Sequence, residues 1–446
     1  MDIERIVVED ALIVTLDGDR RHIRGDLVVE GGRIVQVGGK ASPTGSGVKQ
    51  RVIPGKDRVL LPGFVQTHVH LCQTLFRNQA DDLSLLEWLR DRVWPLEAAL
   101  DEETLHISAR LGCAELLAGG TTTILDMATV RHTDAVFEAV ETSGIRALVG
   151  KALMDIGDDV PGPLLEDPAV SLAESESLAT RWTGAGDGRI GYALAPRFAV
   201  SCSEPLLLGV QSLAERLGLL VHTHAAENQD EVALIESRTG MRNVTYLDHL
   251  GLTGPRLLMA HGIWLDESEM NILQQSGTHV LHCPSSNLKL RSGIAKVPQM
   301  RNRGISVSLG ADGAPCNNRL DMFREMRLAA LLHASSPDGA LSAEDILEMA
   351  TIGGARALGL ENDVGSLEVG KKADVIALDL SSAHNLPETG THPASRIVYS
   401  AGSRDVAWTM VDGAVAWDRS TGHPTDLVDN VEQAARHVRD RAFGGA

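Results

Sequence analysis

The chain has 446 residues, of which 43% are hydrophobic and 23% charged, enough for one large domain of roughly 250–300 residues and a smaller one. Sixty acidic side chains against 41 basic ones give a formal net charge of −19, which repels phosphate backbones and argues against nucleic acid as a partner. No apolar run approaches the roughly 18 residues that span a bilayer, and the charged start MDIERIVVED is unlike a signal peptide, so we expect a cytoplasmic protein with no membrane partner.

The two ends of the chain share the period-two alternation of β-strands. In "RIVVEDALIVTLDG" and "GDLVVEGGRIVQVGG" polar and apolar residues alternate, and Gly31–Gly32 predicts a hairpin turn. The same pattern returns after Gly365, where Asp412–Gly413 predicts a second hairpin. We therefore predict that residues 1–60 and 365–446 form one small β-sandwich, with a terminal helix over 424–446.

Residues 61–364 alternate short apolar runs with longer amphipathic segments. Eight strand-then-helix units over this length predict an α/β fold, a (β/α)8 TIM-like barrel. The predicted strands are Val59–Val65, Thr121–Asp126, Ile145–Lys151, Ile190–Leu194, Leu219–His224, Leu257–Ala260, His279–His282 and Ile305–Leu309.

Polar side chains recur at the ends of these predicted strands. Functional groups of such a barrel lie at the carboxyl ends of its strands. A lone histidine in an apolar run is more often a satisfied structural residue than a ligand, but independent structural histidines have no reason to gather at one rim. The candidates are His68 and His70 after the first strand, His224 with Glu227 at the fifth, His261 at the sixth, His282 at the seventh and Asp312 at the eighth.

This set of side chains suits a divalent metal. The H-x-H spacing of His68 and His70 puts both imidazoles on one face of an extended segment. Three imidazoles and one carboxylate favour Zn²⁺, or alternatively Fe²⁺, and such an ion lowers the pKa of a bound water from about 15.7 toward about 7. Glu227 is then the candidate that moves protons to a leaving group, and His261 and His282 can orient the water or polarise the substrate.

Six stretches of the sequence resemble the amidohydrolase superfamily, in its deaminase and chlorohydrolase branch. They are "PGFVQTHVH", "HTHAAEN", "MAHG", "HCPSSNLKLRSGIA", "LGADGAPCNN" and "GSLEVGKKADVIALD". The resemblance implies one metal per chain and a homo-oligomer. In it, Glu227 moves protons, His261 contacts the metal-bound water or the tetrahedral intermediate, and Asp312 also accepts a proton from the attacking water. The metal ligands that it implies are His68, His70, His224 and Asp312.

Lys151 ends the third predicted strand and offers a weaker alternative. A carboxylated lysine there would bridge a second ion, as in the dinuclear members of the superfamily. The branch that this sequence resembles lacks that lysine, and a mononuclear site already has its full ligand count.

Within the branch, the sequence is most similar to deaminases of S-adenosylhomocysteine, 5′-methylthioadenosine and 5′-deoxyadenosine. "DDLSLLEWLRDRVWPLE" resembles their lid helix, which implies that Trp88 lies against the nucleoside. Arg197 in "APRFAVSCSE" stands where many of those enzymes have a histidine and is similar instead to guanine deaminases; a guanidinium can donate two hydrogen bonds to a purine edge or to a carboxylate. Cys316 stands where related enzymes often have a serine, either as a substrate contact or as small-residue packing.

The leading hypothesis is hydrolytic deamination of an adenine nucleoside, with release of ammonia and the inosine analogue. Its alternatives are a guanine or other nucleobase deaminase, an s-triazine chlorohydrolase or aminohydrolase, and a non-catalytic binding protein stabilised by its metal. The presence of Glu227 and His261 argues against a non-catalytic binding protein, since a closed structural metal site needs neither residue. The residues expected to contact a small-molecule substrate are Trp88, Arg197, Glu227, His282 and Cys316.

Overall fold

Two β-sheets organise the chain, and the computed structural model describes residues 4–43, 48–423 and 425–444. The strands, in chain order, are β1 Glu4–Val14, β2 His22–Glu30, β3 Arg33–Val37, β4 Lys49–Pro54, β5 Val59–Pro62, β6 Phe64–His70, β7 Thr121–Met127, β8 Arg146–Gly150, β9 Ala152–Leu153, β10 Ile190–Pro196, β11 Leu220–Ala225, β12 Leu257–His261, β13 His279–His282, β14 Val307–Leu309, β15 Asp312–Gly313, β16 Val375–Leu378, β17 Val406–Val411 and β18 Ala414–Asp418.

Helices separate most of the strands in the middle of the chain. They are α1 Leu85–Trp88, α2 Trp94–Ala98, α3 Glu102–Ala118, α4 Thr133–Ser143, α5 Pro168–Trp182, α6 Ala185–Gly188, α7 Glu204–Leu217, α8 Gln229–Thr239, α9 Asn243–His249, α10 Glu267–Ser276, α11 Pro284–Lys289, α12 Val297–Asn302, α13 Ala314–Asn317, α14 Met322–Leu332, α15 Ala343–Met349, α16 Ile352–Ala357, α17 Pro393–Tyr399 and α18 Thr425–Phe443. None of these described helices has both the length and the apolar character needed to cross a membrane.

The small sheet is built from both ends of the chain, as predicted. Its order is β18-β17-β16-β5-β1-β2-β3, with β4 also pairing with β1, and its residues enclose a hydrophobic cluster of their own. Both predicted hairpins are present, and all four turn residues have positive φ: 56° and 78° at Gly31–Gly32, 48° and 80° at Asp412–Gly413, as two-residue hairpin turns require. The two turns touch, because a Cβ on Gly32 would lie 2.8 Å from the Asp412 carbonyl oxygen.

The middle of the chain forms the predicted parallel barrel. Strands follow one another in the order β6-β7-β8-β10-β11-β12-β13-β14, and β15 pairs with β6 at the edge where the barrel closes. Each strand is buried almost throughout, which is expected where helices cover a parallel sheet. The (β/α)8 fold is therefore confirmed. The predicted terminal helix is present as α18, while residues 424, 445 and 446 lie outside the described part of the chain.

One predicted strand was wrong. Val59–Val65 is two strands: β5 pairs with β1 and β16 in the small sheet, and β6 begins the barrel. The chain crosses between the sheets at Gly63, where a Cβ would meet the Thr122 side chain at 2.1 Å, so only glycine fits. His68 and His70 consequently lie inside β6 instead of following the first strand.

A buried ion pair joins the small sheet to the barrel. Arg146, at the start of β8, donates two hydrogen bonds of 3.0 Å to Asp374. The same carboxylate accepts the Asp412 backbone N–H at 2.8 Å, in the hairpin turn between β17 and β18. This contact fixes the small sheet against the end of the barrel opposite the strand ends that carry the polar residues.

Candidate metal centre and active site

Four of the predicted ligands converge at the carboxyl ends of the barrel strands. His68 and His70 come from β6, His224 from β11 and Asp312 from β15, and one donor atom of each lies within 4.8 Å of all the others. The Asp312 Oδ1 atom is 3.4 Å from His68 Nε2 and 3.3 Å from His70 Nε2, and His70 Nε2 is 3.3 Å from His224 Nε2. Nitrogen and oxygen ligands about 2.0–2.1 Å from a tetrahedral zinc lie roughly 3.4 Å apart, so the spacing fits a divalent ion.

The other ring nitrogen of each histidine ligand has a partner that orients the ring. His70 Nδ1 binds the Met127 carbonyl oxygen at 2.8 Å, and His224 Nδ1 binds the Arg197 carbonyl oxygen at 2.7 Å. His68 Nδ1 lies 2.7 Å from His222 Nε2. Because carbonyl oxygens only accept, Nδ1 carries the proton in His70 and His224, and their Nε2 lone pairs face the cluster. The Nε2 atom of His68 has no hydrogen-bond partner among the described residues.

Burial and Asp312 set the charges of the cluster. Burial lowers the pKa of His68 to about 4 and that of His224 well below its usual range, so both rings are neutral at pH 7. Burial alone would raise the pKa of Asp312, but His68 and His70 outweigh it and keep that pKa well below the usual range. Burial also opposes the charged form of His70, yet Asp312 raises its pKa. A divalent ion would replace the positive charge that Asp312 attracts there.

Glu227 and His261 lie beside the cluster. Glu227 Oε2 is 3.4 Å from His261 Nε2, and Ser292 donates a hydrogen bond to Glu227 Oε1 at 3.3 Å. Burial raises the pKa of Glu227 well above its usual range, with Asp312 adding to the effect. The carboxyl group is therefore able to hold a proton near neutral pH, as a general acid–base requires.

The backbone is strained at this rim. His261 has φ of 74°, Asp312 of 62° and Ala226, just before Glu227, of 53°. Such conformations cost non-glycine residues about 1–3 kcal/mol each and occur most often at functional sites. The strained backbone positions are therefore at, or next to, the residues of the candidate site.

A helical segment, residues 85–98, covers the cluster and forms a lid. It consists of α1, a π-helical turn at Leu89–Val93 and α2, and π-turns are frequent at functional sites. Leu85, Trp88 and Leu89 line a cavity together with the cluster residues His70, His224 and Asp312, and with Glu227 and His261. Trp88 is 4% exposed, and its indole Nε1 has no hydrogen-bond partner among the described residues. The cavity therefore combines apolar walls with polar atoms that a ligand can bind, as small-molecule sites do.

Arg197 is also part of the cavity wall, but its guanidinium binds the lid. Its Nη1 and Nη2 atoms donate to the two oxygens of Glu97 in α2, at 2.5 and 3.1 Å. Gln73 Nε2 donates to Glu97 Oε1 at 2.9 Å. Both side chains of the ion pair are at most 5% exposed. The bidentate face of Arg197 is thus used within the protein.

Comparison with known proteins gives the family. The model of the amidohydrolase family matches residues 59–416. The chain belongs to the amidohydrolase family. It is 40% identical over 417 residues to 5′-deoxyadenosine deaminase of Methanothermobacter thermautotrophicus, covering 93% of each chain. It is 38% identical over 440 residues to 5-methylthioadenosine/S-adenosylhomocysteine deaminase of Syntrophobacter fumaroxidans, covering 97% of this chain and 98% of that one.

A solved structure of a related enzyme has the same fold as this chain. An adenosine deaminase from Xanthomonas campestris, with bound zinc, has a TM-score of 0.89 and 32% identity, covering 97% of this chain and 98% of that chain. The resemblance predicted from the motifs is confirmed, and so is the prediction of an enzyme. This amidohydrolase carries a His and Asp cluster that can hold a metal at the expected strand ends.

Two other predicted residues of this amidohydrolase, His282 and Cys316, are not brought to the cavity. His282 lies on the far side of β13, with its ring 5.5 Å from that of His333, because Leu281 and Cys283 take the inward positions of the alternation. Cys316 is fully buried and donates to the Gly313 carbonyl oxygen at 3.1 Å. Neither residue is among those that line the cavity. The structure therefore gives no support to direct substrate contact by His282 or Cys316.

Lys151 is occupied elsewhere. Its ammonium group contacts the Val130 carbonyl oxygen and lies 2.6 Å from Glu166 and 3.2 Å from Glu174. The ammonium group of Lys151 is thus already paired with two carboxylates. Lys151 is not part of the metal cluster. The geometry favours the mononuclear alternative.

The sequence reasoning missed the residues that position the site. His222 orients His68, Asn287 Oδ1 binds His261 Nδ1 at 2.8 Å, and Ser286 donates to Asp312 Oδ2 at 2.6 Å. Glu97 holds Arg197 against the lid. Of these only His222 carried a signal, since "HTH" repeats the H-x-H spacing of the first strand and places His222 and His224 on one face.

Proposed function

We propose that this amidohydrolase is a metal-dependent deaminase of an adenine nucleoside such as 5′-deoxyadenosine, 5′-methylthioadenosine or S-adenosylhomocysteine. It would consume one water and release ammonia and the inosine analogue. The observation that carries the proposal is 37–40% identity, over 92–98% of the chain, to relatives named as deaminases of these nucleosides. The cluster beneath the lid supplies the chemistry that such a reaction needs.

The metal would be one Zn²⁺ per chain, with Fe²⁺ as the alternative, held by His68, His70, His224 and Asp312. Three imidazoles and one carboxylate are ligands typical of zinc. When bound, the ion supplies a water of lowered pKa, available as hydroxide near neutral pH. The His68 Nε2 atom, which is buried and has no hydrogen-bond partner among the described residues, also supports this assignment.

Glu227 would carry the protons in the reaction. Its Oε1 is held by Ser292, and its backbone N–H donates to Glu231 at 2.8 Å, so its position is fixed from both sides. A neutral carboxyl group can donate a proton to a ring nitrogen of the purine and, after taking up another, to the departing amine. Asp312 would accept the proton that the attacking water loses. His261, whose Nδ1–H donates to Asn287 Oδ1, would face the oxygen added at the ring carbon with the lone pair of Nε2 and accept a hydrogen bond or a proton from it.

The lid bears on the choice of substrate. Trp88 would lie against the nucleoside, since its side chain lines the cavity. Arg197 binds Glu97 through two nitrogens, so it would have to break a buried ion pair before pairing with the edge of a guanine. That cost favours an adenine nucleoside over guanine.

The deciding experiment is a substrate panel run on one metal-analysed preparation. We expect ammonia release and loss of adenine absorbance with 5′-deoxyadenosine and its 5′-thio analogues. Glu227→Gln is the control, since it retains the shape of the side chain without a proton to transfer. Rapid ammonia release from guanine alone, or chloride release from a chlorotriazine alone, would overturn the proposal in favour of the corresponding alternative.

We also propose that the protein works on small molecules in the cytoplasm, as a homo-oligomer without a nucleic-acid partner. The net charge of −19 supports the last point, because it repels phosphate backbones. Light scattering coupled to size-exclusion chromatography tests the oligomer: a mass near 47.7 kDa would mean a monomer and contradict it.

A further inference from the structure

Three potential metal ligands from distant parts of the chain meet on the surface. His22 begins β2, Glu344 lies in the first turn of α15, and His392 immediately precedes α17. One donor atom of each lies within 4.8 Å of the others. None of the three lines the cavity beneath the lid. The cluster is therefore separate from the catalytic metal ligands and joins the small sheet to two helices of the chain.

The geometry is close to that of a metal site. His392 Nε2 lies 3.4 Å from Glu344 Oε1, and the rings of His22 and His392 are 4.9 Å apart between centroids at 72°. Ligands of a tetrahedral zinc lie roughly 3.4 Å apart, so one pair already has this spacing. Both histidines are exposed, and a change of rotamer can bring the remaining donors together without moving packed groups.

A small cavity lies against two of these side chains. Its volume is about 10 Å³, and it is lined by His22 and Glu344 together with Arg20 and four apolar residues. That is about the size of one water-sized sphere. This small space lies beside two of the three proposed ligands, His22 and Glu344.

Arg20 is the cation that lies next to the cluster among the residues that the structure describes, and its charge is balanced. Its guanidinium lies 2.6 Å from Glu348, 3.4 Å from Asp345 and 3.5 Å from Glu344 Oε2. The other oxygen of Glu344 is the one that faces His392. The carboxylate can therefore bind Arg20 through Oε2 while Oε1 serves as a metal ligand, and Arg20 would orient it as partners of metal ligands commonly do.

We propose that His22, Glu344 and His392 form a second metal site, for a divalent first-row transition metal of the Zn²⁺ type. Two imidazoles and a carboxylate leave a fourth position for water. Since the three ligands belong to the small sheet and to the segments that begin α15 and α17, binding links these parts and stabilises the folded chain. The site takes no part in the deamination proposed above.

The test is a zinc titration of the intact protein whose catalytic site has first been filled with one equivalent. Calorimetry and metal analysis should show one additional Zn²⁺ per wild-type chain and none in H22A or H392A. Added zinc should raise the melting temperature of the wild type and leave that of both variants unchanged. The matched controls are H384A and H437A, because His384 and His437 are also exposed beside a carboxylate, Asp405 and Asp101 respectively, but belong to no cluster of three potential ligands among the described residues.

Two results would overturn the proposal. One is a wild type that takes up no zinc beyond the first equivalent. The other is an additional equivalent that persists in H22A and H392A. The variant E344Q is a further test: it should bind the second Zn²⁺ more weakly than the wild type, while circular dichroism shows an unchanged fold. Turnover of 5′-deoxyadenosine by the variants reports on the proposed function separately, and we expect it to equal that of the wild type.

Discussion

The ion pair between Glu97 and Arg197 holds the lid over the cavity, and Glu97→Gln tests this. Both side chains are nearly fully buried and joined by two hydrogen bonds. Hydrogen bonds to charged groups contribute roughly 1.5–3 kcal/mol each, and breaking a buried pair from one side typically costs about 3–5 kcal/mol. Glutamine keeps the shape of the side chain but leaves the guanidinium without a counter-charge. We expect the free energy of unfolding to fall by about 4 kcal/mol.

A double-mutant cycle separates the pair from its surroundings. Removal of both charges, in Glu97→Gln with Arg197→Gln, leaves no unpaired ion and should destabilise less than the sum of the two single changes, with a coupling energy of about 2–3 kcal/mol. Urea unfolding followed by circular dichroism measures this, and kcat/KM for 5′-deoxyadenosine should fall in each single variant as the lid loosens. The partly exposed pair of Arg77 and Glu115 is the control, with an expected coupling of at most about 1 kcal/mol.

A coupling energy between Glu97 and Arg197 no larger than that of the control pair would refute the reasoning. It would mean that the lid is held by its apolar contacts alone. Faster deamination of guanine by Glu97→Gln, in which Arg197 is released, would show in addition that the ion pair restricts the choice of substrate.

Three further changes probe the site and the fold. Glu227→Gln should lower kcat by about 10²–10⁴-fold without changing the metal content, and an unchanged kcat would remove the residue from proton transfer. His222→Ala deletes the partner of His68 Nδ1 and should weaken metal affinity by about 10–100-fold in competition with a chelator; wild-type affinity would show that His68 needs no such support. Asp374→Asn removes the charge that faces buried Arg146 and should lower the free energy of unfolding by about 3 kcal/mol.

Two substitutions serve as matched controls for these changes. Asp363→Asn acts on an exposed pair with Arg33, 3.3 Å apart, and should alter stability by less than about 1 kcal/mol; an effect as large as that of Asp374→Asn would mean that burial is not the cause. Cys316→Ser should leave kcat/KM unchanged, since Cys316 does not line the cavity.

The sequence by itself determined the barrel, the small β domain and the residues able to hold the metal. Hydrophobic periodicity and hairpin turns are local properties, and several of the predicted barrel strands are followed by polar residues at the end where this fold places functional groups. His68, His70, His224 and Asp312 could be named as ligands without coordinates, because the motifs that contain them resemble those of the amidohydrolase superfamily. Glu227, three residues after His224, could likewise be named from the sequence as the candidate for proton transfer.

Tertiary structure alone decided which neighbouring residues serve the site. The barrel strands are buried on both faces, so the sequence of β13 does not reveal whether Leu281 or His282 points inward, and His282 proved to face His333. The role of Gly63 as the crossing point between the two sheets was also not evident from the sequence, because two consecutive apolar strands have the same hydrophobic pattern as one longer strand. Arg197 and Glu97 are 100 residues apart, and no periodicity encodes a contact that only the packing of the lid onto the barrel creates.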